Sequence, residues 1–129
     1  MSALQDRQAT AYPIGELPAH PKLIVTDMDG TLLGPDGTIP EAFWEVLAGL
    51  QEAGITFTVA SGRQYPSLAQ LFHHPRGVVF IADNGGYAIR DGVELGTTPL
   101  SRASAEQVVA AVRALGSPTD LGAVWSGPT

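Results

Sequence analysis

Three short apolar runs alternate with two segments of helical periodicity, and this order constrains the fold more than any other feature. The runs are LIV at 23–25, ITFTVA at 55–60 and VVFIA at 78–82. The first is continuous, which is typical of a strand buried on both faces of a sheet. Short strand–helix–strand connections of this kind imply parallel strands with right-handed crossovers. The sequence therefore predicts an α/β fold with a parallel sheet and flanking helices.

The segments between the runs carry signals for helix boundaries. Thr38 and Glu41 fit a capping box, and Pro40 would lie in the first turn, where its missing N–H costs nothing. Gly54 suits a left-handed stop at the end of this helix. A second, shorter helix is predicted over YPSLAQLF at 65–72.

The chain after residue 86 has a different pattern. Asp91–Gly92 lies between two short β runs, which predicts a hairpin. The segment 104–116 predicts an amphipathic helix, capped by Ser104 and Gln107 and ended by Gly116. A last strand is predicted over 121–127. We therefore divide the chain into a leader at 1–21, a core at 22–86, and a hairpin with the beginning of a further α+β unit at 87–129.

Composition limits the classes of function. The 129 residues carry a net charge of −6, which disfavours a nucleic acid or an anionic membrane as a partner. The chain has no cysteine, so disulfides, thiolate metal sites and cysteine nucleophiles are excluded. No stretch approaches the length of a membrane span, and the first residues lack the apolar segment of a secretory signal. We expect a cytoplasmic protein that acts on a small molecule.

Two aspartates one residue apart, Asp27 and Asp29, follow the first apolar run. Side chains alternate along a strand, so both carboxylates are expected on the same face. Two carboxylates about 5 Å apart repel by about 3 kcal/mol at an effective dielectric constant near 20. Such a pair lowers stability by itself. The pair therefore indicates a site for a cation or a transferring phosphoryl group.

All three apolar runs end in polar or glycine-rich sequence. Ligands of open parallel α/β sheets bind at the carboxyl ends of the strands. The three groups are therefore expected to face one crevice. They are Asp27-Met28-Asp29-Gly30-Thr31, Ser61-Gly62-Arg63 and Asp83-Asn84-Gly85-Gly86.

These motifs resemble those of a known family. DMDGTLL at 27–33 resembles the first signature of the haloacid dehalogenase-like hydrolases, and TVASGR at 58–63 resembles the second. SGR followed by ADNGG at 82–86 is similar to the Cof-type sugar-phosphatase subgroup. The resemblance covers residues 22 to about 126. It implies a Rossmann-like core, with the hairpin leading into a cap domain.

The resemblance also implies roles for individual residues. Asp27 would be the nucleophile that forms an aspartyl-phosphate, and Asp29 the general acid and base. Mg²⁺ would be held by Asp27 and by the backbone carbonyl of Asp29. The substrate would be a small phosphorylated metabolite such as a sugar phosphate. Its phosphate would be bound by Gly30, Thr31, Ser61, Gly62, Arg63 and Asn84.

The chain departs from the family pattern in two places. The family places a phosphate-binding lysine and an acidic GDGxND cluster downstream, whereas the only lysine here is Lys22, ahead of the first strand. After residue 95 the only acids are Glu106 and Asp120. We therefore expect the N-terminal part of a longer phosphatase, truncated and weakly active or inactive by itself. A non-catalytic phosphate- or partner-binding fragment and a receiver-like phospho-acceptor domain are the alternatives.

The family pattern also places later strands beside the first strand. Without them the first strand becomes an edge whose apolar side chains and unpaired backbone groups are exposed. We expect the chain made alone to self-associate through this edge, or to be marginally stable and aggregate. A natural short form that pairs this edge with another chain is the alternative to a fragment.

Overall fold

The structure is a computed structural model that describes residues 20–116. Most of the predicted leader and the strand predicted at 121–127 lie outside the described residues. The described strands are β1 (Leu23–Thr26), β2 (Thr56–Ala60), β3 (Val79–Ala82), β4 (Tyr87–Arg90) and β5 (Val93–Thr97). The helices are α1 (Ala42–Glu52), α2 (Tyr65–Leu71) and α3 (Arg102–Ala114).

The strands form one sheet in the order β1-β2-β3-β4-β5. The pairs β1/β2 and β2/β3 are parallel, and β3/β4 and β4/β5 are antiparallel. Helix α1 connects β1 to β2, and α2 connects β2 to β3. The predicted α/β fold with a Rossmann-like parallel sheet and flanking helices is confirmed, and the predicted hairpin adds its two antiparallel strands.

The core lies between one face of the sheet and the two helices α1 and α2. Phe57, Val59 and Phe80 from the strands pack with apolar side chains of both helices. The Phe43 ring lies 5.1 Å from Phe57, and the Phe72 ring lies 5.3 Å from Phe80, measured between centroids. Burying each such side chain contributes about 1.5–3 kcal/mol to folding. This packing fixes the positions at which β1, β2 and β3 end.

Strand β1 is only partly buried, which corrects the prediction of burial on both faces. Ile24 packs against the core, whereas Leu23 and Val25 are 55% and 53% exposed. The reason is that, within residues 20–116, β1 has a neighbouring strand only on the β2 side, and both α1 and α2 pack on the Ile24 face.

Both predicted capping boxes are wrong. The Thr38 hydroxyl donates to the carboxylate of Asp36 at 2.8 Å, and α1 begins at Ala42 without a side-chain cap. Asp36 also accepts from the Thr38 N–H at 3.1 Å, so a local turn occupies the residue expected to cap the helix. Helix α3 begins earlier than predicted, because Ser101 is its cap and accepts from the Ser104 N–H at 3.1 Å.

The predicted turns and helix ends are confirmed. Asp91 and Gly92 have φ of +50° and +79°, as a two-residue hairpin turn requires. Gly54 ends α1 at φ +73° and Gly116 follows α3 at φ +59°. Between residues 20 and 116, none of the helices combines the length and apolarity needed to cross a bilayer.

Candidate active site

The DxD segment, Asp27-Met28-Asp29, lies in the loop that follows β1. The sequence predicted these residues in the strand itself, so their placement corrects the prediction. β1 ends at Thr26, and Asp27 continues in an extended conformation with φ −79° and ψ 162°. An Asp27 carboxylate oxygen accepts from the Met28 N–H at 2.8 Å. Met28 is fully buried, whereas Asp27 and Asp29 are exposed. The buried methionine therefore anchors the loop and leaves both carboxylates on the solvent side.

Gly30 allows the loop to turn back toward the core. Its φ is +77°, a conformation that residues with a Cβ rarely adopt. The Leu33 N–H then donates to the Met28 carbonyl at 3.0 Å, which closes the loop, and Leu32 and Leu33 pack against the core. Thr31 is exposed beside Gly30. The loop thus keeps residues 29–31 at the carboxyl end of β1.

Asp29 forms a bidentate ion pair with Arg63 from the end of β2. The distances are 2.9 Å from Arg63 Nε to Asp29 Oδ2 and 2.7 Å from the guanidinium NH₂ to Oδ1. Hydrogen bonding to Arg63, together with its positive charge, lowers the pKa of Asp29. The same contacts raise the pKa of Arg63. The sequence motifs predicted a substrate-binding role for Arg63 and gave no signal for this pair, because the two residues are 34 positions apart.

Ser61 sits directly after β2 and is 9% exposed. Its hydroxyl oxygen accepts from the Arg63 N–H at 3.1 Å. Its own N–H donates to the Ile81 carbonyl at 2.9 Å, which holds the end of β2 against β3. Ser61 therefore shapes the turn from which Arg63 reaches Asp29.

Asn84 and Gly62 bring the ends of β2 and β3 into close contact. A Cβ on Gly62 would come within 2.9 Å of Asn84 Oδ1, so the glycine permits the approach. The Asn84 N–H donates to the Ser61 carbonyl at 3.2 Å, and the Asp83 N–H donates to the Arg63 carbonyl at 3.0 Å. Asp83 and Asn84 have φ of +52° and +54°, a strained pair of left-handed residues.

The three strand ends predicted to share a crevice lie at one edge of the sheet. Thr26 pairs with Val59 in parallel register, so Asp27 and Ser61 both follow at the same side. Direct contacts join Asp29 to Arg63, and Ser61 to both Arg63 and Asn84. No hydrogen bond joins Asp27 to the ends of β2 or β3 within residues 20–116. The described side chains are thus linked through Asp29 and not through the proposed nucleophile.

The described residues fit part of a magnesium site. No group of three or more His, Asp or Glu side chains that could hold a metal occurs among residues 20–116. However, Mg²⁺ is usually bound by one or two carboxylates together with waters and a substrate phosphate. One Asp27 oxygen is engaged by Met28, and the other accepts no hydrogen bond from the described residues. Asp27 is therefore suited to be the single carboxylate ligand from this part of the chain.

A family model and a characterised relative both match this chain, and both agree with the resemblance found in the sequence. The family model for haloacid dehalogenase-like hydrolases matches residues 24–122, a range that includes all the predicted site residues. A 5-amino-6-(5-phospho-D-ribitylamino)uracil phosphatase from Escherichia coli (strain K12) is 37% identical over 90 residues, which are 68% of this chain and 33% of the relative.

Solved structures show the same relationship. A protein from Streptococcus mutans UA159 matches with a TM-score of 0.67 at 31% identity, over 73% of this chain and 36% of that one. A haloacid dehalogenase-like hydrolase from Bacteroides thetaiotaomicron matches with a TM-score of 0.62 at 28% identity, over 73% of this chain and 38% of that one. The chain thus spans about a third of the length of the relatives it matches.

The matched range, the fold and the motifs at the strand ends agree with the resemblance found in the sequence, including its Cof-type subgroup. The chain belongs to the haloacid dehalogenase-like hydrolases.

Proposed function

We propose that this chain carries the attacking half of a Mg²⁺-dependent phosphatase for small phosphorylated metabolites, sugar phosphates among them. The observation that carries the proposal is the Asp29–Arg63 ion pair, which joins the DxD loop to the end of β2. The name of the Escherichia coli relative, a phosphatase of a phosphoribityl compound, supports the substrate class. We also propose that the protein acts in the cytoplasm.

Asp27 is the nucleophile of the proposed reaction. One Asp27 oxygen attacks phosphorus, a P–O(Asp) bond forms, and the ester P–O bond breaks, while the other Asp27 oxygen is left to hold Mg²⁺. A carboxylate suits this step because it attacks without first losing a proton. The hydrogen bond from the Met28 N–H holds the carboxylate orientation, so the attacking oxygen is positioned before substrate binds.

Asp29 moves the protons. In the first step the protonated carboxyl of Asp29 gives a proton to the departing alkoxide. In the second step its carboxylate takes a proton from a water molecule that attacks phosphorus, and this attack releases inorganic phosphate from Asp27. The ion pair with Arg63 favours the ionised form of Asp29. The observed arrangement thus matches the second step, and the first requires Arg63 to withdraw from Asp29.

The remaining residues bind phosphate. Magnesium, when bound, neutralises phosphate charge. The Ser61 hydroxyl lies beside the Arg63 N–H and the Asn84 side-chain amide lies beside Gly62, and both can donate to phosphate oxygens. The backbone at Gly30 and Thr31 is open to close approach by phosphate, since nothing lies within 4 Å of the Cβ position of Gly30 and Thr31 is exposed; Gly62 would act together with the Asn84 side chain that packs against it.

The alternative is a non-catalytic fragment that binds phosphate or a partner chain. The only lysine is Lys22, ahead of β1, and the chain lacks a GDGxND cluster. Missing charge stabilisation can cost orders of magnitude in rate. We therefore expect very slow turnover from the 129-residue chain, and calorimetry with inorganic phosphate separates binding from catalysis.

The test is hydrolysis of an aryl phosphate with Mg²⁺ by the wild type, Asp27→Asn and the control Asp36→Asn. Asp36 is an exposed aspartate in the turn before α1, so its replacement should leave turnover unchanged. We expect low turnover that Asp27→Asn abolishes. Turnover that survives Asp27→Asn would contradict the nucleophile assignment. Fast, Asp27-dependent turnover would show that the missing lysine and acids are not needed.

A further inference from the structure

A cleft of about 330 Å³ opens between the end of α1, the starts of β2 and β3, and the end of β4. Thr56 begins β2 and Gly77 precedes β3, whereas Ser61 of the candidate active site follows β2. The cleft therefore lies at the opposite edge of the sheet from the candidate active site. We call it the Arg76–Arg90 cleft, after the two arginines that line it.

This edge of the sheet is positively charged in a chain whose net charge is −6. None of the described residues that line the Arg76–Arg90 cleft is acidic. Lys22 lies at the same edge, because its carbonyl accepts from the Thr56 N–H at 2.9 Å. A local concentration of positive charge attracts anions even when the whole molecule is negative.

The two arginines keep hydrogen-bond donors available to a ligand. Arg76 is exposed, and its guanidinium forms no ion pair or hydrogen bond with the described residues. Arg90 Nε lies 3.8 Å from one carboxylate oxygen of Asp91, which is too long for a hydrogen bond. The other oxygen of Asp91 accepts from the Gly77 N–H at 2.8 Å. Asp91 therefore offsets the charge of Arg90 only in part.

Gly77 allows the polar groups of the cleft to approach one another. Gln51 Nε2 and the NH₂ group of Arg90 lie 3.1 Å and 4.0 Å from the position that a Cβ on Gly77 would occupy. The two groups are therefore at most about 7 Å apart, a distance that one tetrahedral oxyanion can bridge by hydrogen bonds.

The amide of Gln51 is already held in place. Its Nε2 donates to the Arg76 carbonyl at 2.7 Å, which joins the end of α1 to the segment before β3. An amide nitrogen carries two hydrogens, so one remains for a ligand. The cleft thus presents one oriented amide donor beside two guanidinium groups.

We propose that the Arg76–Arg90 cleft binds a compact oxyanion of the phosphate and sulfate class, as a site separate from the candidate active site. Both guanidinium groups and the Gln51 amide donate to its oxygens. Guanidinium suits such a ligand because its planar fork can donate two parallel hydrogen bonds. A volume of about 330 Å³ also has room for the phosphate group of a larger molecule. The inference does not depend on the proposed phosphatase function.

The simpler explanation is that these arginines only offset the dipole of α1, whose carboxyl end borders the cleft at Gly54. Arg113 provides the matched control, because it is exposed and lies in the last turn of α3. Arg113→Gln removes one positive charge from a helix end elsewhere on the surface.

The experiment is a titration of the ¹⁵N-labelled full chain at constant ionic strength, followed by NMR. The probes are sodium sulfate, inorganic phosphate and ribose 5-phosphate. The Gly77 backbone amide and the Gln51 side-chain amide report on the cleft, and the backbone amides of Gly30 and Ser61 report on the candidate active site in the same spectra.

The wild type is compared with Arg76→Gln, Arg90→Gln and Arg113→Gln. Arg76→Gln should leave the fold intact, since its guanidinium forms no hydrogen bond with the described residues. We expect sulfate and inorganic phosphate to shift the Gly77 and Gln51 signals to saturation. Loss of one charge-assisted hydrogen bond should weaken binding about 10-fold in Arg76→Gln and Arg90→Gln, with no change in Arg113→Gln.

The same signals identify the source of the oxyanion. Saturation by ribose 5-phosphate as well would assign the cleft to phosphate groups of larger molecules, and saturation by the inorganic ions alone would assign it to free ions. Shifts that do not saturate, or equal weakening in Arg113→Gln, would overturn the proposal. Shifts confined to Gly30 and Ser61 would also overturn it and leave the proposed function intact.

Discussion

The parallel part of the sheet and the segment that follows it differ sharply in burial. The described core residues lie between Met28 and Ile89, on β2–β4, α1, α2 and their loops, including the loop that follows β1. In contrast, every residue of β5 is exposed, and α3 has no buried residue. The loops of the candidate active site leave the packed part. The comparison indicates that the packed part positions the chemistry, whereas β5 and α3 present surface.

Replacing one large apolar side chain in each part should show the largest difference in the free energy of unfolding. Phe72 is 1% exposed and contacts Phe43, Trp44 and Phe80, so Phe72→Ala should lower the free energy of unfolding by about 3–5 kcal/mol. Leu95 on β5 is 58% exposed, and Leu95→Ala should change the free energy of unfolding by less than about 0.5 kcal/mol. Urea denaturation measures both. Equal losses would remove the distinction between the two parts.

The two edges of the sheet offer a second test. β1 exposes Leu23 and Val25 and contains no charged residue, whereas β5 contains Glu94. An uncharged apolar edge favours pairing with another chain. We expect self-association of the 129-residue chain through β1, which Val25→Lys should suppress and Val93→Lys should not. Light scattering over a concentration series measures it. Suppression by Val93→Lys alone would assign association to the hairpin edge, and a wild-type monomer throughout would refute the prediction.

Breaking the Asp29–Arg63 ion pair in the packed part should change the pKa of Asp29, whereas breaking the Arg102–Glu106 pair on α3 should not. Arg63→Gln removes the partner of Asp29, so the pKa of Asp29 should rise toward its usual value. The lowered pKa contributes stability above the unfolded-state pKa of the carboxyl group, and this contribution is lost as pH falls through the folded-state value. Carboxyl NMR titration measures the shift. Arg102→Gln, which breaks the pair with Glu106 on α3, is the control, and an equal shift of Asp29 there would contradict the assignment.

The smallest expected effect concerns the turn before α1. Hydrogen bonds from Thr38 lower the pKa of Asp36, so this carboxylate also stabilises the fold above its unfolded-state pKa and loses that effect in acid. Asp36 is exposed, so Asp36→Asn should lower the midpoint of thermal unfolding only slightly at neutral pH and not at all below the folded-state pKa. A loss that persists in acid would show that the turn needs the side chain for another reason.

The sequence by itself determined the order of strands and helices, the hairpin turn and the position of the DxD motif at the carboxyl end of β1. Apolar periodicity and the positions of glycines are local properties of the sequence. They predicted β2, β3, the turn at Asp91–Gly92 and the end of α1 at Gly54. The DMDGTLL motif likewise predicted the family without any tertiary information.

Only the tertiary structure decided which polar groups meet. Asp29 and Arg63 are 34 residues apart, and their pairing depends on the register of β1 against β2 and on the turn that Ser61 shapes. The preference of Thr38 for Asp36 over the helix end, and the exposure of Leu23 and Val25, likewise depend on competing contacts. Periodicity describes one segment at a time, whereas a salt bridge, a groove or an exposed edge depends on how two segments pack together.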